Sequence, residues 1–162
     1  GANDAYGALL RYDQSKVPNI VSNTGMIVTS DICTSDDIHP KEKKQVGIRL
    51  ADLALVNHYN TKNVGVNGPL YKSFEANKNT LTVQFENAVG LHFKDQDPGT
   101  FEVAGKDGIY HKAKAVIKNN EVVLSSKDVG EPVNVRFEWS NTQLATMFNG
   151  AGLPASCFNS EK

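Results

Sequence analysis

The stretch Leu81-Thr82-Val83-Gln84-Phe85 alternates apolar and polar side chains at every step. A period of two sends successive side chains to opposite faces of a strand, so the pattern predicts a β-strand with one buried and one solvated face. The stretch Val133-Asn134-Val135-Arg136-Phe137-Glu138-Trp139 repeats the alternation further along the chain. Together the two stretches predict an antiparallel sheet, because antiparallel sheets commonly cover only one face.

Shorter strand patterns lie between these two stretches. They cover residues 90–93, 101–103, 113–117 and 122–124. Turn-forming groups separate them, at Asn77-Lys78-Asn79, Asp97-Pro98-Gly99, Lys106-Asp107-Gly108 and Asn119-Asn120. Short strands at roughly ten-residue spacing predict an antiparallel β-sandwich over residues 61–162.

Residues 1–60 show a different pattern. The run Gly25-Met26-Ile27-Val28-Thr29 predicts one strand, and helical patterns flank it at residues 5–17, before Pro18, and at residues 40–59. An alternation of helix and strand is typical of α/β structure. A single strand has two unpaired edges, so this piece needs neighbours from an N-terminal part, from another copy of the chain or from its own β-sandwich.

The helix over residues 40–59 carries the clearest pattern of the chain. Pro40 suits the first helical position, and Glu42 falls in the first turn, where the helix dipole favours an anion. Apolar side chains recur at Val46, Leu50, Leu53 and Ala54. This broad stripe predicts that the helix lies across a sheet. The Asn- and Gly-rich stretch of residues 60–69 then predicts a linker, which divides the chain into residues 1–60 and 61–162.

The composition narrows the classes of function. The chain has 162 residues, with 17 Lys and Arg against 18 Asp and Glu, for a formal net charge of -1. A balanced charge predicts neither a nucleic-acid partner nor binding to anionic lipid, and no apolar run approaches the roughly 20 residues of a membrane helix. Cys33 and Cys157 are too few for a disulfide scaffold, and they could form one bridge or none. No Cys/His spacing fits zinc, so we expect neither metal nor cofactor.

The segment between the predicted strand and the second helix carries the candidate chemistry. It contains Asp31, Asp36, Asp37 and His39, followed by Pro40. In α/β sheets the loops after strand ends hold ligands. A carboxylate close to a His can hold one ring nitrogen while the other accepts a proton from a hydroxyl nucleophile. The alternative interpretation is that Asp36 or Asp37 only caps the helix and that His39 is an exposed loop residue.

A resemblance to a known family favours the catalytic interpretation. Asn23-Thr24-Gly25-Met26-Ile27-Val28-Thr29, Asp37-Ile38-His39-Pro40-Lys41, Val46-Gly47 and Arg49-Leu50-Ala51 resemble the last catalytic block and following helix of the sialate O-acetylesterases. These are carbohydrate esterases with the SGNH-hydrolase fold. The likeness continues in order through Gly68-Pro69-Leu70-Tyr71, Phe101-Glu102-Val103-Ala104-Gly105, Ala113-Lys114-Ala115-Val116-Ile117, Val135-Arg136-Phe137-Glu138-Trp139 and Gly152-Leu153-Pro154-Ala155-Ser156.

The resemblance implies the fold and the site residues. Residues 1–60 would be an α/β fragment, the last strand and helices of an SGNH-type flavodoxin-like domain, followed by the antiparallel β-sandwich. His39 would be the general base. Its orienting acid would be Asp37 by the Asp-Ile-His-Pro wording of the family, or Asp36 by the Asp-x-x-His spacing of SGNH hydrolases. The implied substrate is an acetylated sugar, such as an O-acetylated sialic acid, and the implied location is secreted or periplasmic.

The nucleophile of such an esterase is missing from the pattern. No Gly-Asp-Ser, Gly-Gln-Ser or Gly-x-Ser-x-Gly sequence occurs in the chain. We therefore expect a C-terminal part of a serine esterase, inactive in isolation, whose Ser comes from the N-terminal part of the same esterase. The second hypothesis is a non-catalytic β-sandwich module that contacts carbohydrate or supports a catalytic domain.

Overall fold

The computed structural model describes residues 5–34, 39, 41–62 and 65–161. Two helices come first, α1 (Tyr6–Ile20) and α2 (Lys43–Tyr59). All strands follow them: β1 (Leu70–Asn77), β2 (Thr80–Glu86), β3 (His92–Phe93), β4 (Phe101–Ala104), β5 (Tyr110–Lys112), β6 (Lys114–Lys118), β7 (Glu121–Ser125), β8 (Asn134–Phe137), β9 (Met147–Phe148) and β10 (Phe158–Asn159).

The strands form two four-stranded sheets and one short pair. The first sheet has the order β1-β2-β7-β6, the second has the order β10-β8-β4-β5, and β3 pairs with β9. Every pairing is antiparallel. The expectation of a β-rich antiparallel second half is thereby confirmed.

Both four-stranded sheets contribute to one core. The fully buried side chains alternate along the strands, as the sequence pattern predicts, and come from the first sheet (Leu81, Val83, Val122, Leu124) and from the second (Phe101, Val103, Val135, Phe137, Phe158). The ring of Phe158 in β10 stacks on Tyr71 of β1 with centroids 4.5 Å apart. Its other side meets the edge of Phe85 in β2 at 5.8 Å. Apolar burial between the sheets thus supplies the main stabilisation of the second half.

The predicted turn at Asn119-Asn120 joins β6 to β7. The pairing of Lys118 with Glu121 leaves a two-residue loop, in which both Asn residues have positive φ, 52° and 62°. This is the geometry of a type I′ turn, whose twist matches that of the flanking strands and which Asn tolerates well. The sequence therefore determines this hairpin locally.

Helix α1 packs against the second sheet. Ala8 and Tyr12 are buried in the same core as the strands. Arg11 donates to the carbonyl oxygens of Ser140 (2.7 Å) and Asn141 (3.3 Å), just beyond β8. The first helix is therefore attached to the β-rich half by polar and apolar contacts.

Two helix boundaries differ from the sequence-based expectation. Helix α1 continues through Pro18 to Ile20, and its last bond runs from the Val21 amide to the Val17 carbonyl at 2.9 Å. Pro18 has no amide hydrogen to donate to the Gln14 carbonyl and its ring crowds that carbonyl, so its cost falls on the last turn of the helix. Helix α2 begins at Lys43, with Glu42 as its N-cap residue rather than in its first turn. Pro40 lies outside the described residues.

The predicted strand over residues 25–29 does not form. This described segment is extended but pairs with no strand, since every ladder of the described chain lies beyond residue 69. Without a neighbour its edges have no ladder bonds. The segment instead packs on α2, where a Cβ on Gly25 would approach Leu53 Cδ2 to 2.6 Å.

Helix α2 is mostly exposed and no sheet lies beneath it among the described residues, so the expectation that it lies across a sheet stays a prediction. Only Leu53 is buried on it, whereas Ile48, Leu50 and Leu55 are 41%, 49% and 41% exposed. These side chains are exposed because residues 25–29 pair with no strand of the described chain, so no sheet covers the helix. The helix thus presents an apolar surface to solvent.

The predicted linker ends in ordered packing. Gly68 and Pro69 are buried, and Asn149 donates to the carbonyl of Asn67 at 3.0 Å. A Cβ on Gly68 would come within 1.9 Å of the Pro154 carbonyl oxygen. The division at residues 60 and 61 stays a prediction.

Candidate active site

The segment that leads to His39 is fastened to α2 by Arg49. One guanidinium nitrogen, Nη1, donates to the Val28 carbonyl at 2.7 Å and to Asp31 Oδ1 at 2.7 Å, while Nη2 donates to Asp31 Oδ2 at 2.5 Å. The pair is bidentate, a geometry in which Arg binds a carboxylate with strong charge-assisted hydrogen bonds. Asp31 is therefore engaged in an ion pair.

The environment of this ion pair is largely closed to water. The side chains of Arg49 and Asp31 are 12% and 11% exposed. The hydrogen bonds from Arg49 to Asp31 raise the guanidinium pKa; burial opposes them, and the nearby Asp31 charge adds to the increase. Arg49 thus stays a cation and a fixed partner of Asp31.

Further contacts hold the same segment from the other side. The amide of Ala145 donates to the Ser30 carbonyl at 3.1 Å, and Ile32 closes a turn onto Thr29 at 3.1 Å. Cys33, half-buried, carries a free thiol. Residues 28–33 are thus positioned by side-chain and loop contacts rather than by a sheet.

His39 lies between this segment and the start of α2, and its side chain is exposed. Asp36 and Asp37, the alternative orienting acids, lie outside the described residues. Of the predicted set, the structure therefore describes His39 alone, as an exposed residue.

A groove of about 520 Å³ runs beside the segment. Its walls include residues 26–30, Cys33, Glu138 and Cys157, and α1 contributes Leu10, Arg11 and Gln14. Both cysteines are free thiols. Sequence reasoning gave no role to this groove.

Glu138 is a buried carboxyl group on the groove wall that the sequence did not single out. It is 3% exposed, and Thr146 donates to its Oε1 from the backbone amide and the hydroxyl. Burial raises its pKa to about 7, opposed by the Thr146 hydrogen bonds and by Arg11, while Asp97 adds to the increase. The group therefore titrates near neutral pH.

The ion pair of Arg49 and Asp31 was also missed. A carboxylate directly after an apolar run, and an Arg on the helix that follows, were the available signals. Neither signal gives the pairing, because the partners lie 18 residues apart in the chain.

Two absences concern only the described part of the chain. Within residues 5–34, 39, 41–62 and 65–161, no three His, Cys, Asp or Glu side chains are grouped to hold a metal ion. Neither helix among those residues has the length and apolar character to cross a membrane.

Relatives that the chain matches in sequence and in structure are named as acetylesterases. No protein-family model matches the chain. Sialate O-acetylesterase of Mus musculus is 34% identical over 163 aligned residues, which cover 90% of this chain and 30% of the mouse protein. The protein of the same name from Rattus norvegicus is 34% identical over 57% of this chain and 18% of its own length.

A solved structure extends the agreement to three dimensions. The crystal structure of a carbohydrate acetylesterase from Xanthomonas citri matches 94% of this chain at a TM-score of 0.85 and 33% identity. The match covers 36% of that chain, so here too the likeness spans about a third of a longer relative. In sequence and in three dimensions the chain is therefore related to the sialate O-acetylesterase family, of whose longer proteins it matches one part.

Proposed function

We propose that this chain is the C-terminal part of a serine esterase that removes O-acetyl groups from sialic acid or a related sugar. The observation that carries the proposal is the 34% identity over 90% of the chain to a sialate O-acetylesterase more than three times as long, of which 30% is covered. The matched part includes the Asp37-Ile38-His39-Pro40 block.

His39 is proposed as the general base. It takes the proton of a Ser hydroxyl as the Ser oxygen attacks the acetyl carbonyl, and it returns that proton to the sugar oxygen as the ester bond breaks. Water then attacks the acetyl-enzyme by the reverse proton path and releases acetate. Asp37, with Asp36 as the alternative, is proposed to hold the ring of His39 in the productive tautomer.

The exposure of His39 supports this role. A base must approach its nucleophile within hydrogen-bond distance, and His39 lies at the surface of the described chain, where another part of the protein can reach it. We propose that this hydroxyl belongs to the N-terminal part of the same esterase.

Exposed apolar side chains on α2 support the same partner. Ile48, Leu50 and Leu55 are each more than 40% exposed in the described chain. At about 100° per residue, Leu50 shares a face with Leu53, whereas Ile48 and Leu55 lie on the opposite face. We propose that residues 1–60 complete an SGNH-type domain when the N-terminal part supplies the strands beneath α2. The two sheets of residues 61–162 then form a β-sandwich beside it.

Ester hydrolysis by purified protein tests the proposal. Three preparations are compared on 4-nitrophenyl acetate and on 9-O-acetylated sialic acid: this chain, the chain joined to the coding sequence that precedes it, and the joined protein carrying His39→Ala. His58→Ala is the matched control, since His58 lies on the exposed last turn of α2.

We expect activity only in the joined protein, with a kcat lowered about 10³-fold or more by His39→Ala and unchanged by His58→Ala. Hydrolysis by this chain alone, lost with His39→Ala, would show a nucleophile within these residues. Full activity of the joined His39→Ala protein would refute the role of His39.

A further inference from the structure

The ion pair of Arg49 and Asp31 joins one residue before His39 to one residue after it in the chain. Asp31 lies eight residues before His39, and Arg49 lies ten residues after it. We infer that Arg49 and Asp31 are positioning residues that set the place of the His39 ring, an inference that rests on the proposed role of His39 as base.

The first argument is the direct contact between α2 and the segment that precedes His39. Arg49 binds the Val28 carbonyl as well as both oxygens of Asp31. These contacts come from a side chain of α2 and do not require a strand beside residues 25–29.

The second argument is the burial of the pair. Exposed ion pairs contribute little order, and the bridge from Lys16 to Asp13, with side chains 36% and 58% exposed, is of that kind. The side chains of Arg49 and Asp31 are only 12% and 11% exposed. Their planar fork therefore fixes both the distance and the angle between α2 and residues 28–31.

The third argument is the length of chain that the pair spans. Closing the 18-residue separation between Asp31 and Arg49 removes much of the conformational freedom of the loop. A general base displaced by about 1 Å can lose about 10²-fold in rate. Loosening the loop should therefore lower catalysis without changing the chemistry of His39 itself.

Nuclear magnetic resonance of this chain gives a first test that needs no catalysis. The ring C–H signals of His39, His58, His92 and His111 are followed as a function of pH, with His39 assigned by His39→Ala. Asp31→Asn and Arg49→Lys disrupt the pair, the second keeping the charge while losing the planar fork. The control is Arg136→Lys, which alters a partly buried pair in the second sheet, where Arg136 lies 2.7 Å from Glu102 and the side chains are 24% and 18% exposed.

In both pair variants we expect changed or broadened His39 ring signals, with the signals of the other three histidines unchanged. The control should leave His39 as in the parent chain. Unchanged His39 signals in both variants would overturn the inference. Collapse of all four histidine signals in both variants would also overturn the inference, because the pair would then stabilise the whole fold rather than the position of His39.

Kinetics of the joined protein give the second test. We expect Arg49→Lys to lower kcat about 10- to 10²-fold with KM within about threefold, and Arg136→Lys to change neither. If the joined protein that carries His39→Ala keeps its activity, the proposed function is refuted, whatever the spectra show. An active joined protein that needs His39 but tolerates Arg49→Lys and Asp31→Asn would refute the positioning role alone.

Discussion

Thr146 donates two hydrogen bonds to one oxygen of the buried Glu138 carboxyl group, from its amide at 3.0 Å and from its hydroxyl at 2.9 Å. Both bonds favour the ionised carboxylate, yet burial dominates and raises the pKa from 4.5 to about 7. The balance between burial and these bonds makes the stability of the fold depend on pH.

Glu138 should make the folded state less stable as pH rises. Below pH 4.5 the group is protonated in both the folded and unfolded states. Between pH 4.5 and about 7 the unfolded chain loses the proton first, so the free energy of unfolding falls, by up to about 3 kcal/mol. Denaturant unfolding at pH 4.5 and pH 7.5 measures this fall.

Glu138→Gln removes the titration while its amide oxygen can still accept from Thr146. As pH rises from 4.5 to about 7, we expect the free energy of unfolding of the variant to increase relative to that of the parent chain. The control is Glu131→Gln, at an exposed carboxylate. A Glu138→Gln curve parallel to that of the parent chain would contradict the buried titration.

Phe158 should be a major determinant of stability, because its ring joins the two sheets. Tyr71 and Phe85 of the first sheet and Phe137 of the second all contact it, with centroids 4.5, 5.8 and 6.0 Å away. We expect Phe158→Ala to lower the free energy of unfolding by about 3–5 kcal/mol, in urea titrations followed by circular dichroism. Val89→Ala, at a side chain 83% exposed, should change it by less than about 0.5 kcal/mol.

Gly68 should tolerate no side chain. Because a Cβ there would lie 1.9 Å from the Pro154 carbonyl oxygen, Gly68→Ala forces the backbone apart and should cost at least about 2 kcal/mol. Gly47→Ala is the matched control, since nothing lies within 4 Å of its added Cβ on α2. That control should stabilise the helix by about 0.5–1 kcal/mol. Equal melting temperatures for the two variants would contradict the close approach.

The orienting acid can be identified by paired variants in the joined protein. If Asp37 holds His39, Asp37→Asn should lower kcat about 10³- to 10⁴-fold, because the amide favours the wrong tautomer, while Asp36→Asn changes it little. The reverse order would assign the role to Asp36. Both variants keep the side-chain size, so differences in kcat report the charge and hydrogen bonding of the group.

The sequence predicts those strands whose determinants are local. Thr80–Glu86 and Asn134–Phe137 alternate cleanly, and each forms where the alternation lies. Strand β1 escaped notice because its pairing shifts register between Tyr71 and Ser73, which breaks the period of two. Strands β9 and β10 have two residues each and depend on tertiary pairing, which no local pattern encodes.

The candidate site was predictable in part for a similar reason. His39 and its flanking acids follow from a contiguous block of sequence. The Arg49–Asp31 pair and the Thr146–Glu138 pair join residues 18 and 8 positions apart, and no local pattern shows that these residues meet. The strand over residues 25–29 was predicted from its composition, but a strand also needs a neighbour, and composition does not supply one.

The thiol of Cys157 lies 3.6 Å from the carbonyl of Ala8, so the two ends of the described chain meet inside the core. Contacts between residues 149 positions apart raise the contact order and slow folding. The ring of Phe158 must be synthesised before Tyr71 and Phe85 can be covered. During translation the first sheet therefore keeps an apolar face exposed until Phe158 has been synthesised. An exposed apolar face makes the nascent chain prone to aggregation and dependent on chaperones during this interval.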